Sequence, residues 1–221
     1  MKYLLHIDTS TDDGVVAIGG DGQLLSHRVN KETRDHAGSI NVMINDVLAE
    51  IGISLEDLAG IVVCAGPGSY TGLRIGIATA KGLCYVLEKP LILDNRLTLL
   101  AYQAYRHNLK TYSQYTVILT AREKEYFISI YNNDFICIMP PQHITEDSLA
   151  ISMEEKGSNY IITNASKEII NSIAGNIKTD FLAKIDLSSW IFYAFEEYNC
   201  NKTVNLSTAE PFYLKQVYTH K

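Results

Sequence analysis

The sequence has few of the residues that commonly build a metal or redox centre, and those it has lie far apart. Its four cysteines stand at positions 64, 84, 137 and 200, so no C-x-x-C pair exists, which argues against a zinc site or a redox dithiol. The six histidines never occur as H-x-x-x-H or H-E-x-x-H, the helical spacings that bind catalytic zinc. No serine lies in a G-x-S-x-G elbow, the nucleophile motif of α/β-hydrolases. We therefore expect no metal, no cofactor and no catalytic residue in this chain.

Long hydrophobic runs are also missing. No apolar stretch approaches the roughly 20 residues needed to cross a bilayer, and the apolar start YLLHIDT (residues 3–9) is too short for a signal peptide and is typical of a strand. An excess of basic residues is missing too. The formal net charge is −6, so no general attraction to nucleic acid is expected. These features predict a protein of a reducing, cytoplasmic compartment without membrane contact.

What the sequence does contain is the alternating pattern of a mixed α/β protein. In the first part it predicts strands at 3–9, 14–20, 24–30, 60–66 and 91–93, and helices at 35–52, from about 70 to 85, and at 96–107. A looser copy follows, with strands at 115–121, 125–132 and 135–140, a strand running into a helix at 159–166, and a helix at 186–200. The repeated order indicates two similar halves, 1–107 and 108–221.

The stretch CAGPGSYTGLRIGIATAKGLCY, residues 64–85, contains glycines around a loop and then an apolar helix. A helix that starts after a strand can bind an anion at its N-terminus. The loop is not a Walker A motif, however, because no Gly-Lys-Ser/Thr follows, and Pro67 has no N–H group to offer. The turn HIDTST has two interpretations as well: Asp8, Thr9 and Ser10 can hold a metal-bound phosphate, or they can satisfy the backbone of the turn.

The helix after this loop is apolar nearly all round, which implies that both of its sides are covered. One face carries Gly72, Gly76, Thr79, Ala80 and Leu83, and the opposite face carries Arg74, Ile77, Ala78, Lys81 and Tyr85. The first face can meet the sheet of its own half. The second face needs another cover, which can be a helix of the same chain or a partner protein.

The helix predicted at 35–52 also has two separable faces. Its core face consists of Ile40, Ile44, Val47, Leu48 and Ile51 at helical spacing. A second strip consists of Val42, Asn45 and Ala49, about 100–200° away around the helix axis. Val42 and Ala49 are apolar where a solvated helix would carry charge.

With these motifs the chain resembles the bacterial TsaB family, formerly called YeaZ, over most of its length and most strongly over residues 1–95. The resemblance rests on IDTST…GVVAI, on the helix led by His36, and above all on GPGSYTGLRIGIATAKGL, close to the family pattern G-P-G-S-[FY]-T-G-[LV]-R-[IV]-G. The segment PFYLKQ resembles the family's P-x-Y-L-R. The resemblance implies an α/β fold of the actin/hexokinase/Hsp70-like (ribonuclease H-like) type, a duplicated mixed-sheet fold with two related halves.

The resemblance also implies a function. Proteins of this family act in the synthesis of threonylcarbamoyladenosine (t6A) at position 37 of tRNAs that read codons beginning with A. We expect a non-catalytic scaffold or activating subunit that works through a TsaD-like catalytic partner and a TsaE-like ATPase. It would contact tRNA at most indirectly, and it would form a homodimer when alone. The alternatives are an ATP-dependent kinase-like enzyme of the same superfamily and, with little support, a metalloprotease.

Two departures from the family pattern argue against intrinsic ATP binding. The family often has D-A-R-x-G-E-x-Y on the strand that opens the second half, whereas this chain has Thr120 in place of the aspartate and Lys124 in place of the glycine. The sequence ITNAS also lacks the Gly-rich turn that nucleotide-binding relatives have at the second strand-to-helix junction.

The resemblance supplies two sets of candidate residues. The partner-binding set is His36, Ser39, Val42, Met43, Asn45, Ala49, Arg74, Ile77, Ala78 and Lys81. The motif-loop set is Asp8, Thr9, Ser10, Gly66, Pro67, Gly68, Ser69, Tyr70, Thr71 and Gly72.

Overall fold

The computed structural model describes residues 1–32, 35–108, 111–152, 159–175, 177–181 and 184–214. The chain forms two compact units. The first consists of Met1–Arg96 together with Leu187–Phe212, and the second consists mainly of Leu97–Asp186. Among the described residues, no helix has both the length and the apolar character that a bilayer span requires.

The first unit is built on a five-stranded sheet. Its strands are β1 (Tyr3–Asp8), β2 (Gly14–Gly20), β3 (Gln23–Asn30), β4 (Leu58–Cys64) and β5 (Leu91–Asp94), and their order in the sheet is β3-β2-β1-β4-β5. The pairs β1–β2 and β2–β3 are antiparallel, whereas β1–β4 and β4–β5 are parallel. Its helices are α1 (His36–Ile51), α2 (Tyr70–Leu87) and α6 (Leu187–Asn199).

Both faces of this sheet are covered, which explains the continuous apolar runs of its central strands. Successive side chains of a strand point to opposite faces. In β1, Leu5 and Ile7 belong to the core that α1 and α2 complete. His6, between them, instead contacts Trp190 of α6, with 5.1 Å between the ring centroids. Helices α1 and α2 therefore lie on one face and α6 on the other.

The second unit repeats the same sheet. Its strands are β6 (Gln114–Arg122), β7 (Glu125–Asn132), β8 (Cys137–Thr145), β9 (Asn159–Thr163) and β10 (Lys178–Asp180). Their order is β10-β9-β6-β7-β8, which is the order of the first sheet taken from the opposite edge, with β6 in the central place of β1. The pairs β6–β7 and β7–β8 are antiparallel, and β6–β9 and β9–β10 are parallel, as in the first sheet. The duplicated α/β fold predicted from the sequence is confirmed.

The helices of the second unit are α3 (Arg96–His107), α4 (Glu146–Ser152) and α5 (Lys167–Ala174). The apolar residues of α3 pack with Tyr115 and Val117 of β6 in one core cluster. Leu149 of α4 and Ile170 of α5 pack in a second cluster with Ile118, the neighbour of Val117 on the same strand. This sheet is therefore also covered on both faces.

The two units differ from the predicted halves 1–107 and 108–221 at two places. Helix α3 belongs mainly to the second unit, because Leu97, Leu100 and Ala101 pack on its sheet. Helix α6 and the segment that follows it return to the first unit, where Val204 pairs with Leu91 at the outer edge of β5. Local sequence patterns predict an element, but they do not state which sheet it covers.

Candidate functional site

The motif-loop residues meet at the carboxyl end of β1 and the start of α2. Asp8 ends β1, and Ser69 caps α2 by accepting a hydrogen bond from the Gly72 N–H group. The Ser69 N–H group donates to the Ser10 carbonyl oxygen at 2.7 Å. The Thr9 hydroxyl donates to the Gly72 carbonyl oxygen at 2.6 Å. These bonds fix the first turn of α2 directly against the turn that follows β1.

The glycines make this close approach possible. A Cβ atom at Gly68 would overlap the carbonyl oxygen of Ser10, and one at Gly72 would overlap the carbonyl oxygen of Thr9. A Cβ atom at Gly76, one turn later, would lie 2.5 Å from the Thr9 hydroxyl oxygen. At these three positions the glycines therefore serve the close packing of α2 against the turn after β1.

Asp8 has partners within the first unit. Its Oδ1 accepts the Ser10 N–H group at 2.8 Å, and its Oδ2 lies 3.3 Å from Nη1 of Arg96. The same Arg96 nitrogen donates to the Ser10 hydroxyl at 3.2 Å. Asp8 and Arg96 are 5% and 8% exposed, so the ion pair is screened little by solvent. The carboxylate is thus neutralised by a guanidinium group of the same chain.

This geometry favours the interpretation that these residues satisfy the turn over that of a metal-bound phosphate. The Ser69 and Gly72 N–H groups at the start of α2 already donate within the chain. Two carbonyl oxygens, of Thr9 and Ser10, face the loop where an anion would approach. At the matching strand end of the second unit, Thr120 brings no carboxylate, and its N–H group donates to Oδ1 of Asn164 at 2.7 Å. Within the described ranges, no three His, Cys, Asp or Glu side chains lie together as a metal site would require.

We expect MgATP to leave the thermal midpoint of the purified chain unchanged, because the strand-end groups already bind one another. Differential scanning fluorimetry across a range of MgATP concentrations tests this. A specific ligand at 100 times its dissociation constant would stabilise the fold by about 2.7 kcal/mol. A saturable rise of that size, lost in Asp8→Ala, would show that the loop binds nucleotide after all.

The partner-binding set falls into two groups. Its exposed members are Val42, Asn45 and Ala49 on α1 and Arg74 and Ala78 on α2, with Ser39 half-buried. These exposed residues lie on two helices that contact each other. We call these five exposed residues the docking face.

Three of the predicted partner contacts are buried in the structure. Met43 and Ile77 are buried, 8% and 4% exposed, in the core of the first unit. His36 is also buried, and its Nε2 lies 3.0 Å from the Thr11 carbonyl oxygen. The Lys81 ammonium group donates to the Ala209 carbonyl oxygen at 3.1 Å. Met43, Ile77 and His36 support the fold and are left out of the docking face, whereas Lys81 is half-buried and stays a predicted partner contact.

The exposed stripe continues to the C-terminal end of α2, beyond the partner-binding set, and includes Tyr85 of the face that the sequence leaves for another cover. Tyr85 and Val86 are 79% and 77% exposed, and Gly82 is exposed as well. Together with Arg74 and Ala78 they continue one stripe at spacings of three and four residues, which the sequence would have revealed. The guanidinium carbon of Arg74 lies 4.0 Å from the ring centroid of Tyr70, within the range of a cation–π interaction.

Comparisons with known proteins agree on one family. The family model described as "TsaD: tRNA N6-adenosine threonylcarbamoyltransferase" matches residues 23–156. The tRNA threonylcarbamoyladenosine biosynthesis protein TsaB of Escherichia coli (strain K12) is 36% identical over 131 residues, 59% of this chain and 55% of that protein. TsaB of Haemophilus influenzae is 32% identical over 126 residues, 57% of this chain and 52% of that protein. The chain thus spans about half the length of these curated relatives.

Relatives that are named as the transferase itself match a shorter part of the chain. The tRNA N6-adenosine threonylcarbamoyltransferase of Jannaschia sp. is 35% identical over 113 residues, covering 42% of this chain and 32% of that protein. Among solved structures, YeaZ from Pseudomonas aeruginosa covers 97% of this chain and 100% of its own, with a TM-score of 0.81 at 23% identity. The ethanolamine utilization protein EutJ from Carboxydothermus hydrogenoformans has a TM-score of 0.52 at 11% identity, covering 88% and 90%. At these identities the structural likeness concerns the fold alone.

Proposed function

We propose a function from one premise: the chain belongs to the TsaB (YeaZ) family, within the superfamily that the tRNA N6-adenosine threonylcarbamoyltransferase model describes. The proposed function is that of an accessory subunit in the synthesis of threonylcarbamoyladenosine on tRNA. In this function the chain does no chemistry of its own. It binds and activates a TsaD-like catalytic subunit.

A single observation carries the proposal: the residues of the strand-end loop bind one another, while the part of the chain that the structure describes leaves a face of α1 and α2 exposed. Asp8 is paired with Arg96, and the start of α2 is packed against the turn after β1. The docking face has one charged side chain, Arg74, among its five residues. An exposed surface with so few charges is typical of a contact with another protein.

The chemistry of the docking face indicates what the partner surface must offer. The side chains of Ala78 and Ala49 are small, so the partner backbone or its helices can approach closely there. Val42 is 58% exposed and gains from an apolar pocket on the partner. Arg74 calls for a carboxylate on the partner surface.

Further components follow from the family and are part of the same proposal. A TsaE-like ATPase would complete the assembly, and tRNA would be bound by the assembly rather than by this acidic chain. The docking face would cover itself in a weak homodimer when the catalytic partner is missing. We propose the cytoplasm as the compartment, because the pathway modifies tRNA.

The test is co-expression with the TsaD-like protein of the same organism, followed by size-exclusion chromatography with light scattering. We expect one species whose mass contains both chains, and no threonylcarbamoyl transfer by this chain alone. Separate elution at micromolar concentrations of both proteins would contradict the docking proposal. Transfer activity that remains with the isolated chain through re-purification would contradict the non-catalytic assignment.

A further inference from the structure

The edge strand β3 carries a row of polar side chains on the face of the sheet that α1 covers. Ser26, Arg28 and Asn30 occupy alternate positions of the strand, so their side chains point to the same face. Helix α1 packs on β2 and β3, and all three side chains form hydrogen bonds to it. We call these three residues the polar row.

At the C-terminal end of α1, two members of the polar row bind Glu50. The Ser26 hydroxyl donates to Glu50 Oε2 at 2.7 Å, and Arg28 Nη1 lies 2.6 Å from the same oxygen. Ser26 is buried, whereas the side chains of Arg28 and Glu50 are 40% and 49% exposed. The hydrogen bond from Ser26, followed by the bond and charge of Arg28, lowers the pKa of Glu50. Glu50 is therefore a charged acceptor at pH 7, which strengthens both bonds.

Near the N-terminal end of α1, the third member of the polar row binds Ser39. Asn30 Nδ2 donates to Ser39 Oγ at 2.8 Å, and the Ser39 hydroxyl donates in turn to the Asp35 carbonyl oxygen at 2.7 Å. Asn30 Oδ1 accepts the Glu32 N–H group at 2.9 Å, which fixes the orientation of the amide. Ser39 and Glu50 are about three helical turns apart, roughly 16 Å along the axis of α1. The helix is therefore attached to the strand at two distant points.

The contact between these two attachment points is apolar. Ile40, Ile44 and Val47 of α1 belong to the same core cluster as Val16 and Ile18 of β2. Apolar contact is non-directional, so on its own it resists a small rotation or shift of α1 only weakly. Hydrogen bonds depend on both distance and angle, and bonds at both ends of a helix restrict its rotation and its shift together. The polar row therefore supplies the directional part of the contact between α1 and the sheet.

We propose that the polar row is a positioning device for partner binding: it holds α1 at the orientation in which Val42, Asn45 and Ala49 complete the docking face with the exposed residues of α2. This inference rests on the proposed function, because it concerns the same docking face. The three residues lie on the strand and act through α1. If α1 samples other orientations, only the fraction of chains in the native orientation binds, and the apparent dissociation constant rises by the inverse of that fraction.

The test removes one attachment point at a time and then both. The double variant Ser26→Ala/Arg28→Met removes both donors to Glu50, and Asn30→Ala removes the amide that binds Ser39. We expect isothermal titration with the TsaD-like protein of the same organism to show a dissociation constant about threefold higher after either change and about tenfold higher after both. Arg28→Lys keeps the charge and a donor, and it should bind as the native protein does.

A merely structural role would give a different result. Lower stability reduces the fraction of folded chains, which lowers the stoichiometry of the titration but leaves the dissociation constant of the folded chains unchanged. Lys31→Met removes a positive charge at an exposed position directly after β3, and it should bind as the native protein does. An equal affinity loss in Lys31→Met and Ser26→Ala/Arg28→Met would show a general effect of charge and overturn the positioning role.

A second measurement needs no partner. Residual dipolar couplings of the backbone amides report the orientation of each helix in the isolated chain. In the variant that lacks both attachment points, we expect averaging to reduce the couplings of α1, while those of α2 and the sheet keep their native values. Unchanged couplings of α1, or reduced couplings together with native affinity, would overturn the proposal. If the native chain does not bind the TsaD-like protein, the proposed function fails, and the couplings still decide whether the polar row orients α1.

Discussion

Replacing Ala78 with arginine is expected to abolish binding of the TsaD-like subunit while the chain stays folded. Ala78 is an exposed residue of the docking face. An arginine placed there adds a bulky side chain to a close contact and a second positive charge beside Arg74, and burying that charge costs on the order of several kcal/mol. Arginine is preferred to glutamate because Arg74, four residues earlier, would pair with a glutamate. We expect an affinity loss of about 100-fold or more, measured by isothermal titration or by co-elution.

The matched control is Asn171→Arg, which adds the same side chain at an exposed position of α5. Both variants should unfold within about 0.5 kcal/mol of the native protein, since surface changes rarely do more. Equal binding loss in the two variants would mean that charge alone, rather than the docking face, controls assembly. Native affinity in Ala78→Arg would remove α2 from the proposed interface.

Replacing Gly72 with alanine is expected to cause the largest stability loss of any single methyl group added to α2. The new Cβ would overlap the Thr9 carbonyl oxygen, a backbone atom that cannot rotate away. The same turn holds the Thr9–Gly72 hydrogen bond of 2.6 Å, so relief of the overlap breaks the contact between β1 and α2. We expect a loss of about 3 kcal/mol, measured as a lower urea midpoint.

The same helix offers the opposite case. A Cβ at Gly82 meets no atom within 4 Å, so Gly82→Ala should stabilise the chain by about 0.5–1 kcal/mol through its higher helix propensity. The two substitutions are chemically identical and differ only in what surrounds them. A stable Gly72→Ala would show that α2 does not pack against the turn after β1 as described.

The elements of the first unit could be predicted from the sequence because their patterns are local. Helix α1 ends at Ile51, with Gly52 in the left-handed conformation at φ 70°, as the helix pattern and that glycine predict. The sequence of strand β4 is a continuous apolar run because the sheet is covered on both faces. The signal for such elements is contained within about ten residues, so it needs no knowledge of the rest of the fold.

The orientation of α2 was harder to predict, and the assignment of Ile77 was wrong for that reason. A helix that is apolar nearly all round gives its hydrophobic pattern no clear direction. The buried side of α2 carries both its glycines and its larger residues Leu73, Ile77 and Cys84. The glycines let the turn after β1 approach closely, while the larger side chains pack on the sheet. The helical spacing of these large residues indicates which side of α2 is buried.

The second unit was predicted less completely. Strand β8 continues through Pro140 and Pro141 to Thr145, beyond the predicted end at residue 140. It is an edge strand, where a missing N–H group can face outward without breaking the ladder. Helix α4 and strand β10 are only seven and three residues long, too short for a periodic signal. Such elements are fixed by contacts distant in sequence.

The return of α6 to the first sheet has a consequence for the order in which the two units fold during synthesis. Its compact first unit lacks Trp190 and the covering segment around Val204 until more than 200 residues have left the ribosome. The middle of the chain, by contrast, contains nearly all of its own unit in one continuous stretch. Domains that are continuous in sequence can fold as they emerge. The second unit can therefore complete its core during translation, whereas the first unit, although its synthesis begins earlier, is the last to close.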